Sequence, residues 1–114
     1  MSRRPSAARL AGAASIFAAL GDGTRLGLVA RLCDEGPLSI VRLSTGSPVT
    51  RQAVTKHLHA LAAAGLVRST RRTRQRQRLW ELQPRRLREA RAYLDHISRN
   101  WDDALERLRA FVED

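Results

Sequence analysis

The amino-acid sequence predicts a mostly helical α+β domain with a small two-stranded element and a long final helix. Three observations lead to this fold class. Apolar residues recur every three or four positions along most of the chain, which is the period of an α-helix. Two short alternating segments, at 66–72 and 76–82, are typical of strands. From residue 84 onward, a seven-residue apolar repeat continues almost to the C-terminus.

The composition indicates one small globular domain. The chain has 114 residues, of which 43% are hydrophobic. No apolar run approaches the roughly 18 residues of a transmembrane helix. The Ala-rich segment after Arg3 and Arg4 is too weakly apolar for a secretory signal. We therefore expect a cytoplasmic protein without a membrane partner.

The net charge of +10 favours a polyanionic partner, nucleic acid first and an anionic membrane second. A genome rich in G and C would explain why arginine replaces lysine. It would not explain 21 basic against 11 acidic residues. The lone Cys33 excludes an internal disulfide and multi-cysteine metal sites, and it reads as a small core residue rather than a redox switch. No catalytic constellation is present, so we expect no enzymatic activity and no cofactor.

The first part of the chain predicts an arm and two helices. Residues 1–7 are expected to form a flexible basic arm, and helical spacing predicts a first helix at 8–20. Asp22 is a predicted N-cap for a second helix at 23–35, because its carboxylate can accept from free backbone N–H groups. The residues expected on the inward face of this second helix are Leu26, Val29, Ala30 and Cys33.

The middle of the chain has the pattern of a helix-turn-helix. A short helix at 39–44 and a glycine-containing turn at 45–48 precede a longer helix at 51–64. Thr50 is the predicted N-cap of the longer helix, and Gly65 is expected to close it. Its inward face is formed by Val54, Leu58 and Leu61, and His57 is expected to be a packed, hydrogen-bonded core histidine.

The longer helix leaves a polar stripe that suits DNA recognition. Arg51 can pair with guanine and Gln52 with adenine in the major groove. Thr residues and Lys56 suit phosphates and base edges. The alternative is a solvated helix face without a ligand. The residues predicted to bind DNA from this helix are Thr50, Arg51, Gln52, Thr55, Lys56 and His59.

The two predicted strands form a wing with a strong excess of arginine. The region 66–91 contains ten arginines but only two acidic residues, Glu81 and Glu89. Arginines at the wing tip would contact backbone phosphates or enter the minor groove. The alternative is a solubilising loop. The tip residues are Arg72, Arg74 and Arg76.

We interpret the last helix as a dimerisation helix. Pro84 suits its first position, and about 30 helical residues would span about 45 Å, which is longer than so small a core needs. We therefore divide the chain into the arm, a DNA-binding part at 8–83 and this helix at 84–114. The predicted dimer interface consists of Leu10, Phe17, Leu87, Leu94, Ile97, Trp101, Leu108 and Phe111.

Three motifs occur in a fixed order: GDGTRL at 21–26, AVTKHL at 53–58 and AGLV at 64–67. In this order and spacing they resemble the ArsR/SmtB family of dimeric winged-helix repressors over about residues 14–84. The chain departs from the family at Gly23, where proline is usual. The resemblance implies a winged helix-turn-helix fold, a homodimer and repression, and it assigns DNA contacts to the Thr55–Lys56 pair.

The same comparison argues against metal sensing. The short helix before the turn lacks the cysteine pair of the family's arsenic-type site. Asp95 and His96 are adjacent and would point about 100° apart on a helix, so they do not match the zinc-type Asp-x-His pattern. We expect no metal, and the chain resembles the metal-free branch with Trp101 on its last helix. Trp101 could also line an effector pocket, although the sequence identifies no effector.

Together these patterns predict a homodimeric, sequence-specific repressor that reads a pseudo-palindromic site on double-stranded DNA. The alternative is an interaction module that pairs through the heptad helix and binds nucleic acid without sequence preference.

Overall fold

The computed structural model describes residues 6–71 and 77–113. Within these residues five helices and three strands follow one another along the chain. They are α1 (Ala7–Leu20), α2 (Gly23–Glu35), β1 (Leu38–Ser39), α3 (Ile40–Ser44), α4 (Arg51–Ala63), β2 (Val67–Arg71), β3 (Arg78–Leu82) and α5 (Pro84–Glu113).

Capping side chains fix the helix boundaries as the sequence predicts. The Asp22 carboxylate accepts a hydrogen bond from the Arg25 N–H at 3.0 Å, which starts α2. The Thr50 hydroxyl accepts from the Ala53 N–H at 3.1 Å, which starts α4. After α4, Gly65 adopts a φ of 77°, a left-handed conformation that glycine adopts without a steric penalty.

The first helix begins at Ala7, one residue earlier than predicted. The Ser6 hydroxyl accepts from the Arg9 N–H at 3.2 Å, so Ser6 caps α1 and Ala7 already belongs to the helix. Residues 1–5, which carry the rest of the predicted arm, lie outside the described residues. The wing tip at 72–76 also lies outside them, and with it the predicted contacts of Arg72, Arg74 and Arg76.

The sheet has three antiparallel strands in the order β1-β3-β2, where the sequence predicted only two. The additional strand β1 pairs with β3, and Leu38 lies opposite Trp80. Two residues are too few to show an alternating pattern, so the sequence gives no signal for this strand. Its pairing attaches the start of the helix-turn-helix to the base of the wing.

One apolar core joins the helices to the sheet. The predicted inward residues of α4 are fully buried, and Trp80 of β3 is buried with them. Removing such side chains from water is the main force that holds these elements together. The large side chains that are almost completely inaccessible are Ile16, Leu43, Val54, Leu58, Leu61 and Leu66.

The predicted inward face of α2 was wrong at three of its four residues, and only Val29 is buried as expected. Leu28 and Leu32 are buried together with Val29, whereas Leu26 is 53% exposed and Cys33 is exposed. Apolar residues surround most of this helix, so their period alone does not select a face. Leu28 and Leu32 occupy the core, and the face with Leu26, Ala30 and Cys33 turns outward. Cys33 is therefore not the core residue that the sequence suggested.

Helix α5 extends well beyond the core of its own protomer. Ala90 is its one buried residue among 84–113, and Leu87 packs against the core from a half-buried position. Phe17 of α1 packs beside Tyr93, with ring centroids 6.1 Å apart. No described helix, including this one, is long and apolar enough to span a membrane. The large apolar residues that stay exposed on α5 are Leu94, Ile97, Trp101, Leu105, Leu108, Phe111 and Val112.

Candidate nucleic-acid interface

Helix α4 has two distinct faces. Its inner face is completely buried, which fixes the rotation of the helix about its own axis. The structure brings the predicted DNA-binding residues together on the other face, at the helical spacing i, i+1, i+4, i+5 and i+8. On this face Arg51, Gln52, Lys56 and His59 are exposed and Thr55 is half-buried.

The two threonines of this stripe are already engaged within the helix. The Thr50 hydroxyl accepts the capping hydrogen bond, and the Thr55 hydroxyl donates to the carbonyl oxygen of Arg51 at 3.0 Å. The Thr55 hydroxyl keeps its acceptor lone pairs and its methyl group for a ligand. Arg51 and Gln52 are exposed in the first turn, and no described hydrogen bond engages their side chains.

His59 lies at the junction between α4 and the sheet. Its ring centroid is 5.9 Å from that of Trp80, and the ring planes are inclined at 46°. Because Trp80 is buried between β1 and β2, this contact holds the His59 ring near the base of the wing. The side chain remains exposed, so a contact with DNA backbone at the edge of the recognition stripe is geometrically open to it.

The strand pair of the wing that lies next to its tip carries two like charges directly opposite each other. Arg71 of β2 and Arg78 of β3 are register partners, and both are exposed. Like charges at opposed positions of an antiparallel pair destabilise it. Three register pairs further from the tip, Arg68 is neutralised by an ion pair with Glu81. The unneutralised arginines thus begin at the end of the hairpin that leads to the tip.

Acidic residues are absent from the middle of the sequence. No Asp or Glu occurs at positions 36–80, a range that includes α3, α4, β2 and the first three residues of β3. Within the described residues Arg51 and Lys56 take part in no ion pair, and Arg42 of α3 is exposed. This gap in the acidic residues is a sequence signal that extends the candidate interface to α3.

His57 turns inward as predicted, but it faces a carboxylate rather than the apolar core. Its Nδ1 lies 4.0 Å from Asp22 Oδ1, a distance for an ion pair rather than a hydrogen bond, and the ring is half-buried. The Asp22 carboxylate accepts a hydrogen bond from the backbone N–H of Arg25, and this bond lowers the pKa of Asp22. The nearby His57 and Arg25 side chains lower that pKa further. The recognition helix is thereby linked to the start of α2.

The described residues contain no group of three or more His, Cys, Asp or Glu side chains that could hold a metal ion. His96 of α5 instead has its Nε2 atom 3.1 Å from Nδ2 of Asn100.

No protein-family model matches the chain, whereas individual proteins do. The chain is 41% identical over 87 residues to the HTH-type transcriptional regulator Rv2034 of Mycobacterium tuberculosis, and the alignment covers 76% of each protein. An ArsR-like transcriptional regulator from Rhodococcus sp. RHA1 superposes with a TM-score of 0.77 and 35% identity, over 91% of this chain and 95% of that one. This chain belongs to the ArsR family.

Family membership confirms the winged helix-turn-helix fold and the class of DNA-binding transcriptional regulators. A more distant match in fold is a fragment of Mb0332 from Mycobacterium bovis, described as a homodimeric winged helix-turn-helix DNA-binding domain. It has a TM-score of 0.63 at 22% identity, over 86% of this chain and 90% of that fragment. In the terms of this fold, α3 and α4 of the ArsR-family chain are the helix-turn-helix, and β2 and β3 are the wing.

Proposed function

We propose that this ArsR-family protein is a homodimeric repressor that reads a pseudo-palindromic operator in the cytoplasm through α4. The observation that carries this proposal is the exposed basic and polar stripe of α4, on a helix whose opposite face is locked into the core. A recognition helix needs both properties, because its side chains must reach base edges while the helix keeps one orientation.

Sequence readout is assigned to the first turn of α4. Arg51 can donate two hydrogen bonds to O6 and N7 of guanine, and Gln52 can pair with N6 and N7 of adenine. Lys56 and Thr55, one turn later, reach phosphates or the next base edge. His59 and the cap residue Thr50 flank the stripe and suit contacts with the backbone.

The wing supplies affinity rather than sequence choice. Arg71 and Arg78 place positive charge at the end of the hairpin next to its tip. Three further arginines follow in the sequence of the tip: Arg72, Arg74 and Arg76. Arginines that neutralise phosphates release counterions, which gives binding a steep dependence on salt but little dependence on sequence. Contact with DNA also removes the repulsion between the two opposed arginines.

The dimer is assigned to the face of α5 that the protomer leaves uncovered. Trp101 is 65% exposed and Phe111 is 81% exposed, and both belong to the heptad pattern. A continuous apolar stripe of this kind marks an interface with another protein. Leu10 of α1 is exposed as well, whereas Phe17 and Leu87 are half-buried and would extend the same contact. A second copy supplies the matching stripe, and the homodimeric Mb0332 fragment has the same fold.

The proposal is tested by selecting bound fragments from the protein's own genome and measuring their affinity against random duplexes. We expect recovery of fragments with an inverted repeat whose half-sites lie about one helical turn apart, bound about 1,000-fold or more tightly than random DNA. Transcription from a promoter containing the repeat should fall when the protein is added. Recovery of no preferred fragment at moderate salt would instead favour a non-specific nucleic-acid-binding module.

A further inference from the structure

Arg86, in the first turn of α5, reaches across to the end of the recognition helix. Its Nε donates to the carbonyl oxygen of Ala64, the C-cap of α4, at 3.3 Å. Its Nη1 donates to Oε2 of Glu89 at 2.8 Å, which holds the guanidinium in place. Within residues 6–71 and 77–113, this is the only side-chain hydrogen bond from α5 to another part of the protomer.

The same side chain also touches the exit from α4 and the middle of α1. A Cβ added to Gly65 would lie 3.0 Å from Cγ of Arg86, so the arginine stem packs directly on this left-handed glycine. A Cβ added to Gly12 would lie 3.7 Å from Nη1. The Arg86 side chain therefore joins α5 to α1 and to the end of α4.

The chemistry of this contact is directional and permanent. The last carbonyls of a helix carry partial negative charge, which favours a cation at its C-terminus. A guanidinium stays charged at every physiological pH and presents its donors in a fixed plane. The apolar core fixes which face of α4 is buried, and the Arg86 hydrogen bond adds a directional restraint at the C-terminal end of the helix.

We propose that Arg86 is a positioning residue that fixes the angle of the recognition helix on the α1–α5 pair, and that it thereby sets the half-site spacing the dimer accepts. This inference rests on the proposed function. In a two-fold dimer built on α1 and α5, the distance between the two recognition helices depends on how each α4 is held against those helices. A directional contact at the end of α4 restricts that angle in addition to the packing of its core face.

Half-site spacing is the readout that separates positioning from plain stability. One inserted base pair turns one half-site by about 34° and moves it by about 3.4 Å relative to the other. A rigid dimer loses affinity for such a site, whereas a dimer with a looser α4 tolerates it. A purely structural weakening would lower affinity for every spacing by the same factor.

The experiment uses the selected operator and two versions of it, with one base pair added to or removed from the centre. Fluorescence anisotropy gives the affinity of the full-length protein and its variants for each duplex. Wild type should lose about tenfold or more on the altered spacings, and Arg86→Ala should lose about threefold or less, although it binds the native spacing more weakly. The matched control is Arg85→Ala, which removes an exposed arginine one position earlier and should keep the wild-type ratio.

A second variant keeps the test valid if Arg86→Ala fails to fold. Arg86→Lys retains the stem and the charge but cannot bond Ala64 and Glu89 with one planar fork, so its spacing ratio should also fall below that of wild type. Wild-type ratios in both folded variants, or in Arg86→Lys alone if only that one folds, would overturn the positioning role and leave the proposed function intact. A wild-type protein without any spacing preference would overturn both.

Discussion

Oδ1 of Asp22 lies 4.0 Å from Nδ1 of His57, so the carboxylate that caps α2 also faces the recognition helix. The capping hydrogen bond from Arg25 and the neighbouring positive charges keep the pKa of Asp22 below its ordinary value. A carboxyl with a lowered pKa in the folded state stabilises the fold above its unfolded pKa. That contribution disappears as the pH falls through the lower, folded pKa.

From this relationship we expect Asp22→Asn to be less stable than wild type at pH 7, because asparagine retains the cap but not the charge. The difference in unfolding free energy should shrink below about pH 4 and vanish once the folded carboxyl is protonated. Urea denaturation at a series of pH values measures this. Asp34→Asn, a change at an exposed carboxylate later in the same helix, serves as the control. A difference independent of pH would show that the charge of Asp22 contributes nothing.

Arg51→Ala should weaken binding to the operator by about 5- to 150-fold, which corresponds to the roughly 1–3 kcal/mol of one bidentate base contact. Binding to random duplex should change far less, because it loses only the electrostatic attraction of one arginine to the phosphates. Anisotropy titrations on both duplexes provide the comparison, and Arg99→Ala on the exposed surface of α5 is the charge-matched control. Equal losses of affinity on the two duplexes would show that Arg51 does not contact a base edge.

Arg78→Gln should have opposite effects on stability and on binding. Relief of the repulsion with Arg71 should raise the unfolding free energy by about 0.2–1 kcal/mol at low salt. Affinity should fall on operator and random DNA alike, and the slope of log K against log salt should decrease by about 1. Arg68→Gln breaks the ion pair with Glu81 and is expected to lower stability instead. If Arg78→Gln left the salt slope unchanged, Arg78 would not contact a DNA phosphate.

Trp101→Asp should convert the dimer into a monomer, because a carboxylate at the centre of the apolar stripe cannot be buried without a partner. Sedimentation should then report about 12.8 kDa instead of twice that mass, with weakened operator binding. Ala92→Asp introduces the same charge on the opposite side of the heptad and should remain dimeric. A fully active monomer of the Trp101 variant would contradict the assignment of the dimer to α5.

Two identical Gly→Ala substitutions around α2 should change stability in opposite directions. Gly27 lies inside the helix and has open space where a Cβ would point, so alanine should stabilise by about 1 kcal/mol. Gly36 also has open space, but its φ of 80° and ψ of −162° are accessible to glycine alone. Alanine there should destabilise by about 1–3 kcal/mol. Thermal or urea unfolding of both variants measures the pair, and a shared sign would refute the conformational argument.

The recognition helix was predictable because several local signals agree on it. Thr50 as a cap, Gly65 as a terminator and three inward residues at helical spacing place every side chain of α4. The resemblance of its motifs to the ArsR family then implies the function proposed for this helix. For α5, the heptad pattern similarly predicted a stripe that the protomer leaves uncovered.

Other features depend on which elements meet in space, and the sequence alone does not contain that information. On α2, apolar residues lie on nearly every side, so the sequence does not determine that Leu28 and Leu32 fill the core while Leu26 stays exposed. Strand β1 exists only because Leu38 meets Trp80. The reach of Arg86 to Ala64 spans 22 positions and has no local signature.

The sparse burial of α5 within its own protomer has a consequence for how the protein responds to its own abundance. Within the described residues the later turns of α5 bury no side chain, and a helix without such packing is only marginally stable in water. In the proposed dimer, a second copy would order these turns. Folding of this segment and association are then one coupled equilibrium, and melting temperature and operator occupancy rise together with protein concentration. If the protein acts as the proposed dimeric repressor, dilution would unfold the later turns of α5 and release DNA together, so repression would be lost over a narrower range of protein concentration than dissociation from the operator alone would give.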